Sequence, residues 1–212
     1  MTTVLLSATS TTNKVMGKSL DTKVTVAEIQ SALALRCPLF NIRQDIMIPN
    51  LSWGLLNHEA DFVCINKSHY LTEVEIKRSL QDLRADFKKD VFHRDDRVYR
   101  FFFCLPLTIK DKALEVMSEE ENIEKLRELY HTHSPRPAII WYDEECNLDY
   151  QHLGGGWSYT GGRKLFLEEV VTVGRLLSMR YWPTVDQNNF LQKRNAELDE
   201  EIETLTSKLE IA

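Results

Sequence analysis

From Thr25 onward, apolar residues recur at three- and four-residue steps: Val26, Ile29, Leu33 and Cys37 share one side of a predicted helix. Thr25 followed three positions later by Glu28 reads as a capping box, and Cys37-Pro38 ends the helix. The period then shortens to two. Ile42, Ile46 and Ile48 share one parity in NIRQDIMIP (41–49), the signature of a half-buried strand, and 50–57 reads as a loop or a widened hairpin. ADFVCI (60–65) and YLTEVEIK (70–77) read as two more strands, joined by the polar turn Asn66-Lys67-Ser68-His69. Ser79, with Asp82 three positions on, starts a helix whose apolar stripe is Leu80, Leu83, Phe87 and Val91. VYRFFFCLP (98–106) is aromatic-rich and reads as an interior strand, a charged helix covers about 111–131, and PAIIWYDEE (137–145) is a further strand. Helix, three strands, helix, strand, helix, strand is the order of a mixed α/β core.

Residues 187–211 form a polar helix in which Leu191, Leu198 and Leu205 stand seven apart. Ile202 and Leu209 interleave as a second seam, with Asn188 and Asn195 on the same line, where a buried asparagine sets dimer register. Packing back on its own domain and pairing as a two-stranded coiled coil both fit this pattern. A homodimer would use Leu191, Asn195, Leu198, Ile202, Leu205 and Leu209. The predicted organisation is a polar leader (1–22), one folded domain (23–182) and a C-terminal helix (183–212).

Composition narrows the class. The apolar and charged fractions are those of a globular chain, and no apolar run reaches the roughly 18 residues of a membrane span. A formal charge of −6 argues against a generally basic nucleic-acid coat but leaves room for a local patch. The four cysteines, Cys37, Cys64, Cys104 and Cys146, contain no C-x-x-C pair, which argues against a zinc site and for a reduced, cytoplasmic setting. The glycine-rich 153–164 (LGGGWSYTGGRK) lacks the Lys-Ser/Thr of a phosphate loop and reads as a turn or surface loop. His131 and His133 read as surface residues.

The chemistry concentrates on the 60–77 hairpin. In a strand, Leu71, Glu73, Glu75 and Lys77 face one way and Thr72, Val74 and Ile76 the other. A turn centred on Ser68 sets Asp61 opposite Glu75, with Lys77 a short step along. Two facing carboxylates repel unless a cation lies between them, and a hard divalent ion such as Mg2+ suits two carboxylates plus water. A neighbouring ammonium then orients water or stabilises developing charge. The alternative is an exposed ion-pair ladder, Glu73 and Glu75 with Lys77 and Arg78 on a solvated sheet face.

The arrangement D-x13-E-x-K on a hairpin between two helices resembles the PD-(D/E)XK nuclease superfamily, and within it the MmcB-like DNA-repair endonucleases. The likeness spans about residues 25–110. It rests on Ala60-Asp61, on Val74-Glu75-Ile76-Lys77, on Ser79-x-x-Asp82-Leu83-Arg84-Ala85-Asp86-x-Lys88, and on the aromatic strand Tyr99 to Pro106. Ala60 stands where the proline of the motif's name would precede the aspartate. The resemblance implies a restriction-endonuclease-like core of αβββαβ order, a mixed sheet flanked by helices. It implies Asp61, Glu75 and the backbone carbonyl of Ile76 as ligands of Mg2+ or Mn2+, and Lys77 as the catalytic lysine. Many members add a glutamate from the preceding helix. Glu28 occupies that place, with Gln30 nearby, although the capping box accounts for Glu28 equally well. DNA is the implied substrate, cut by hydrolysis of a phosphodiester. Arg78, Arg84, Lys88 and Lys89, followed by His93, Arg94 and Arg97, offer contacts to its backbone, or else a solvated salt-bridged surface. The alternative function is a catalytically inactive protein of the same fold that binds nucleic acid or a protein partner.

Overall fold

A computed structural model describes residues 24–51, 54–89, 92–131, 137–152 and 159–210. Its centre is a six-stranded mixed sheet in which spatial order follows chain order. The strands are β1 (Ile46–Leu51), β2 (Ala60–Ile65), β3 (Leu71–Ile76), β4 (Val98–Pro106), β5 (Ala138–Tyr142) and β6 (Leu148–His152). The β1–β2, β2–β3 and β5–β6 pairs are antiparallel, while β3–β4 and β4–β5 are parallel. Parallel neighbours need crossovers, which here carry helix α2 (Leu80–Phe87) and then α3 (Lys110–Met117) with α4 (Glu120–Tyr130).

Both faces of the sheet are covered. Helix α1 (Val26–Arg36) lays Ile29, Ala32 and Leu33 against Phe62, Cys64, Val74, Ile76, Phe102 and Ile140. On the other face, Leu83 and Phe87 of α2, Val116 of α3 and Leu126 of α4 pack over Val63, Leu71, Phe101, Phe103 and Trp141. The first turns of α5 (Leu167–Glu210) add Val173 to this second layer. The described architecture is thus α/β, a mixed sheet between helices followed by a long C-terminal helix. No helix among the described residues is long and apolar enough to cross a membrane.

Several predicted boundaries shift. Ile42 is 57% exposed, because Asp45 turns the chain by accepting from the Asn41 N–H at 2.8 Å, so β1 starts at Ile46 rather than Asn41. The single helix expected over 111–131 is two. Ser118 Oγ donates back to the Leu114 carbonyl (2.7 Å) and Asn122 Nδ2 to the Val116 carbonyl (2.8 Å), closing α3 before α4 begins. β5 stops at Tyr142, where Asp143 accepts from the Glu145 and Asn147 N–H groups and turns the chain into β6, a strand the sequence pattern did not announce. The C-terminal helix begins at Leu167, twenty residues before the expected 187, and runs through Pro183 without interruption. The predicted leader (1–22), Val91, His133 and the glycines at 154–156 lie outside the described residues.

Candidate functional site

The hairpin loop closes around Ser68. Asn66 Oδ1 accepts from the Ser68 and Tyr70 N–H groups, at 2.9 and 3.1 Å, and the Asn66 carbonyl accepts from His69 N–H at 2.8 Å. This five-residue turn sets the β2–β3 register, with Phe62 opposite Val74 and Val63 opposite Glu73. Continuing that register one pair beyond Phe62 and Val74 sets Asp61 level with Glu75. Asp61 Oδ2 accepts from the neighbouring Ile76 N–H at 2.8 Å, which fixes the carboxylate over the end of β3.

Glu73, Glu75 and Lys77 do share a face, but it is not solvated. They are 0%, 5% and 8% exposed, under α2 and the segment that follows it. The exposed ion-pair ladder is therefore not what the chain builds. Burying three charges is costly unless each finds a partner, and each does. Lys77 Nζ lies 2.5 Å from Glu75 Oε1 and 2.9 Å from Asp86 Oδ1, the latter from α2. Lys89 Nζ reaches Asp86 Oδ1 at 2.5 Å and stands 3.8 Å from Glu75 Oε1. His93 spans two acids: Nδ1 is 2.9 Å from Glu73 Oε1 and Nε2 is 2.9 Å from Asp86 Oδ2. His58 Nε2 completes the chain, 2.9 Å from both oxygens of Glu73.

The titration of these groups follows from this wiring. Burial pushes the His93 imidazolium toward losing its proton, but bonds to Asp86 and Glu73 outweigh it and raise the pKa to about 10. Burial pushes the Asp86 and Glu73 carboxyls up, and their histidine partners more than reverse it, holding both below the ordinary range. For Lys77, desolvation is overcome by Glu75 and Asp86, so the ammonium is retained. Glu75 and Asp61 move the other way. Desolvation dominates at both and raises their pKa values, opposed at Glu75 by His93 and Lys77 and at Asp61 by the Ile76 N–H and Lys77. An added cation beside either acid would oppose this rise. Glu75 Oε2 is buried and accepts no hydrogen bond from the described residues, an oxygen left over for such a ligand.

The remaining predicted residues are dispersed. Glu28 does not join Asp61 and Glu75. It is exposed, and its carboxylate accepts from Thr25 N–H and Thr25 Oγ1, at 2.7 and 2.8 Å, closing the cap of α1. Gln30 is the α1 residue that reaches the site: buried, it donates from Nε2 to the Asp61 carbonyl at 2.8 Å and to Asn50 Oδ1 at 2.9 Å. Arg84 and Lys88 lie on the outer face of α2 beside Leu80 and Gln81, Arg78 is half-buried, and Lys89 bends inward onto Asp86.

Glu73, Asp86, His93 and His58 belong to the site, yet the sequence assigned none of them a role in it: Asp86 stood only in the segment that carries the resemblance, and His93, expected as a backbone contact, is buried. Asp86 could have been found from periodicity. It falls three residues after Leu83 and beside Phe87, inside the apolar stripe of α2, where a solvated aspartate has no place. His58 and His93 arrive from loops, and no local pattern marks them. Two groups bring metal-ligating atoms within 4.8 Å of one another: His58, Glu73 and His93, and Glu75, Asp86 and His93.

No family model matches the chain, and no curated protein matches it. Among solved structures it is similar to the SPO1766 protein of unknown function from Silicibacter pomeroyi, at 11% identity and a TM-score of 0.38, over 66% of this chain and 82% of that one.

Proposed function

We propose that the protein is a metal-dependent nuclease of the PD-(D/E)XK type, with a restriction-endonuclease-like core, acting on DNA. The observation that carries this reading is the hairpin register, which, continued one pair past Phe62 and Val74, sets Asp61 level with Glu75, with Lys77 two residues on and Glu75 Oε2 buried without a hydrogen-bond partner among the described residues. Asp61 and Glu75 would hold Mg2+ or Mn2+, with the Ile76 carbonyl as a third donor. A bound divalent ion supplies Lewis-acid polarisation of a phosphate and lowers the pKa of water. Lys77 holds its positive charge beside the reacting phosphate. Asp86 positions that ammonium from behind, Gln30 fixes the backbone at Asp61, and Arg84 and Lys88 meet the DNA backbone from the exposed face of α2. The test is incubation of plasmid and single-stranded DNA with the protein and Mg2+ or Mn2+. Cleavage that Lys77→Ala and Asp61→Asn each abolish is the expected result. No cleavage, or cleavage that survives Lys77→Ala, counts against it.

A second reading rests on a different observation. Lys77, Lys89 and protonated His93 already offset Glu73, Glu75 and Asp86, so this network is neutralised without any ion. Such a protein would be an inactive nuclease-fold module that binds nucleic acid or protein. Its partner surface would be α5, where Leu191, Leu198 and Ile202 of the predicted seam are exposed, with Phe190 exposed beside them. This reading expects no divalent-ion heat from the Asp61–Glu75 pair by calorimetry, and a dimer that becomes a monomer when the chain is cut after Tyr181. A dimer that persists in the shortened chain removes α5 as its interface.

A further inference from the structure

We propose that His58, Glu73 and His93 form a second metal site, distinct from Asp61 and Glu75, that takes a first-row transition ion such as Zn2+. Glu73 is the starting point. It is fully buried, and its carboxylate touches two imidazoles but no ammonium or guanidinium among the described residues, unlike Glu75 and Asp86, which are tied to Lys77 and Lys89. An ion entering here displaces protons, not lysines. Two imidazole nitrogens and a carboxylate are a donor set suited to zinc and its neighbours rather than to Mg2+.

The geometry is close to that of a bound ion. His58 Nε2 and His93 Nδ1 each lie 2.9 Å from Glu73 oxygens, and the rings stand nearly perpendicular with centroids 5.3 Å apart. Ligand atoms held at about 2.0–2.1 Å from a tetrahedral ion lie roughly 3.3 Å apart; the two histidine–glutamate distances need open by only a few tenths of an ångström, and all three ligand atoms already lie within 4.8 Å of one another. His93 also has the support that metal-bound histidines use. Its other nitrogen, Nε2, faces the Asp86 carboxylate at 2.9 Å, which fixes the ring and leaves Nδ1 directed at Glu73. Access exists on one side. His58 keeps 14% of its side chain exposed, and His93 borders a cavity of about 600 Å3 lined also by Asn57, Arg94 and His131, from which water can supply a fourth ligand. The cysteine spacing that argued against zinc has no bearing on this donor set.

Asp86 touches both His93 and Lys77, so the second ion would be one carboxylate away from the proposed nuclease lysine. The proposal itself does not depend on nuclease activity.

The test uses the full chain, stripped with chelator and then titrated with Zn2+ by calorimetry and with Co2+ by visible absorption. One equivalent of ion per chain, with the visible band of a four-coordinate Co2+ site, is expected. Glu73→Gln and His58→Ala should abolish the band, and Asp86→Asn should weaken affinity about 10–100-fold. Asp61→Asn should leave stoichiometry and band unchanged, which separates this site from the nuclease centre. Circular dichroism establishes that each variant is folded. His58, at the rim, is the variant that decides if Glu73→Gln does not fold. Absence of the Zn2+ heat and Co2+ band in the folded parent chain overturns the proposal. So does a band that survives His58→Ala or is lost with Asp61→Asn.

Discussion

Asp86 on α2 places Oδ1 2.9 Å from Nζ of Lys77, the residue just past the end of β3, so a helix and a strand are joined through a charge pair inside the protein. Both side chains are buried, and Asp86 also holds His93. Removing one partner of a buried pair strands the others, a loss of about 3–5 kcal/mol. Asp86→Asn should therefore lower the urea midpoint strongly, whereas Arg84→Gln, on the exposed side of the same helix, should stay within about 0.5 kcal/mol of the parent. Equal midpoints for the two variants would show that the pair contributes nothing to stability.

Gln30 and Glu28 are two residues apart on α1 and do different work. Gln30→Ala leaves the Asp61 carbonyl and Asn50 without their shared donor, at a cost of about 1–3 kcal/mol. It should also weaken Mn2+ binding if Asp61 is a ligand. Glu28→Ala should reduce helix stability while leaving divalent-ion binding untouched, because its carboxylate is engaged in the Thr25 cap. Calorimetry on the two variants separates the roles. Loss of ion binding with Glu28→Ala would restore that residue to the metal shell.

Two glycines give opposite predictions. At Gly162 an added Cβ would run into the Val98 backbone carbonyl, so Gly162→Ala must displace β4 or its neighbour and should cost about 1–3 kcal/mol. Gly174, within α5, has nothing within 4 Å of such a carbon, and Gly174→Ala should stabilise by about 0.5–1 kcal/mol through helix propensity. Thermal unfolding of both variants reads the difference in sign.

The cysteines predict an alkaline limit. All four are buried and reduced, and burial pushes the Cys37 thiol from 9.0 up to about 11. Below pH 9 the thiol is protonated whether the chain is folded or not, and its contribution to stability is flat. Between pH 9 and 11 the unfolded chain ionises first, so stability falls as pH rises through that window. Burial raises the other three thiols as well, so Cys37→Ser should make this part of the stability profile shallower without levelling it. A disulfide reagent at pH 8 should find the thiols slow in the native protein and all four fast in denaturant. Rapid native labelling of Cys37 would contradict its burial.

The amino-acid sequence by itself determined the local devices: the Thr25–Glu28 cap, the Ser79 start of α2, the interior run Val98–Pro106 and the hairpin turn around Ser68. Because side chains alternate strictly along a strand, that turn was enough to set Asp61 across from Glu75 with Lys77 on the same face. Alternation names two faces but cannot say which is wet. Both are covered here, so burial of Glu73, Glu75 and Lys77, and the recruitment of Asp86, His93 and His58 to neutralise them, were decided by how α2 and the loops fold back over β3. The same holds for β6 and for the early start of α5. Residues 148–152 are polar enough to read as loop, whereas 167–182 are rich in apolar residues, and in both cases only neighbours distant in the chain, β5 for one and the second core layer for the other, give them a surface to complete.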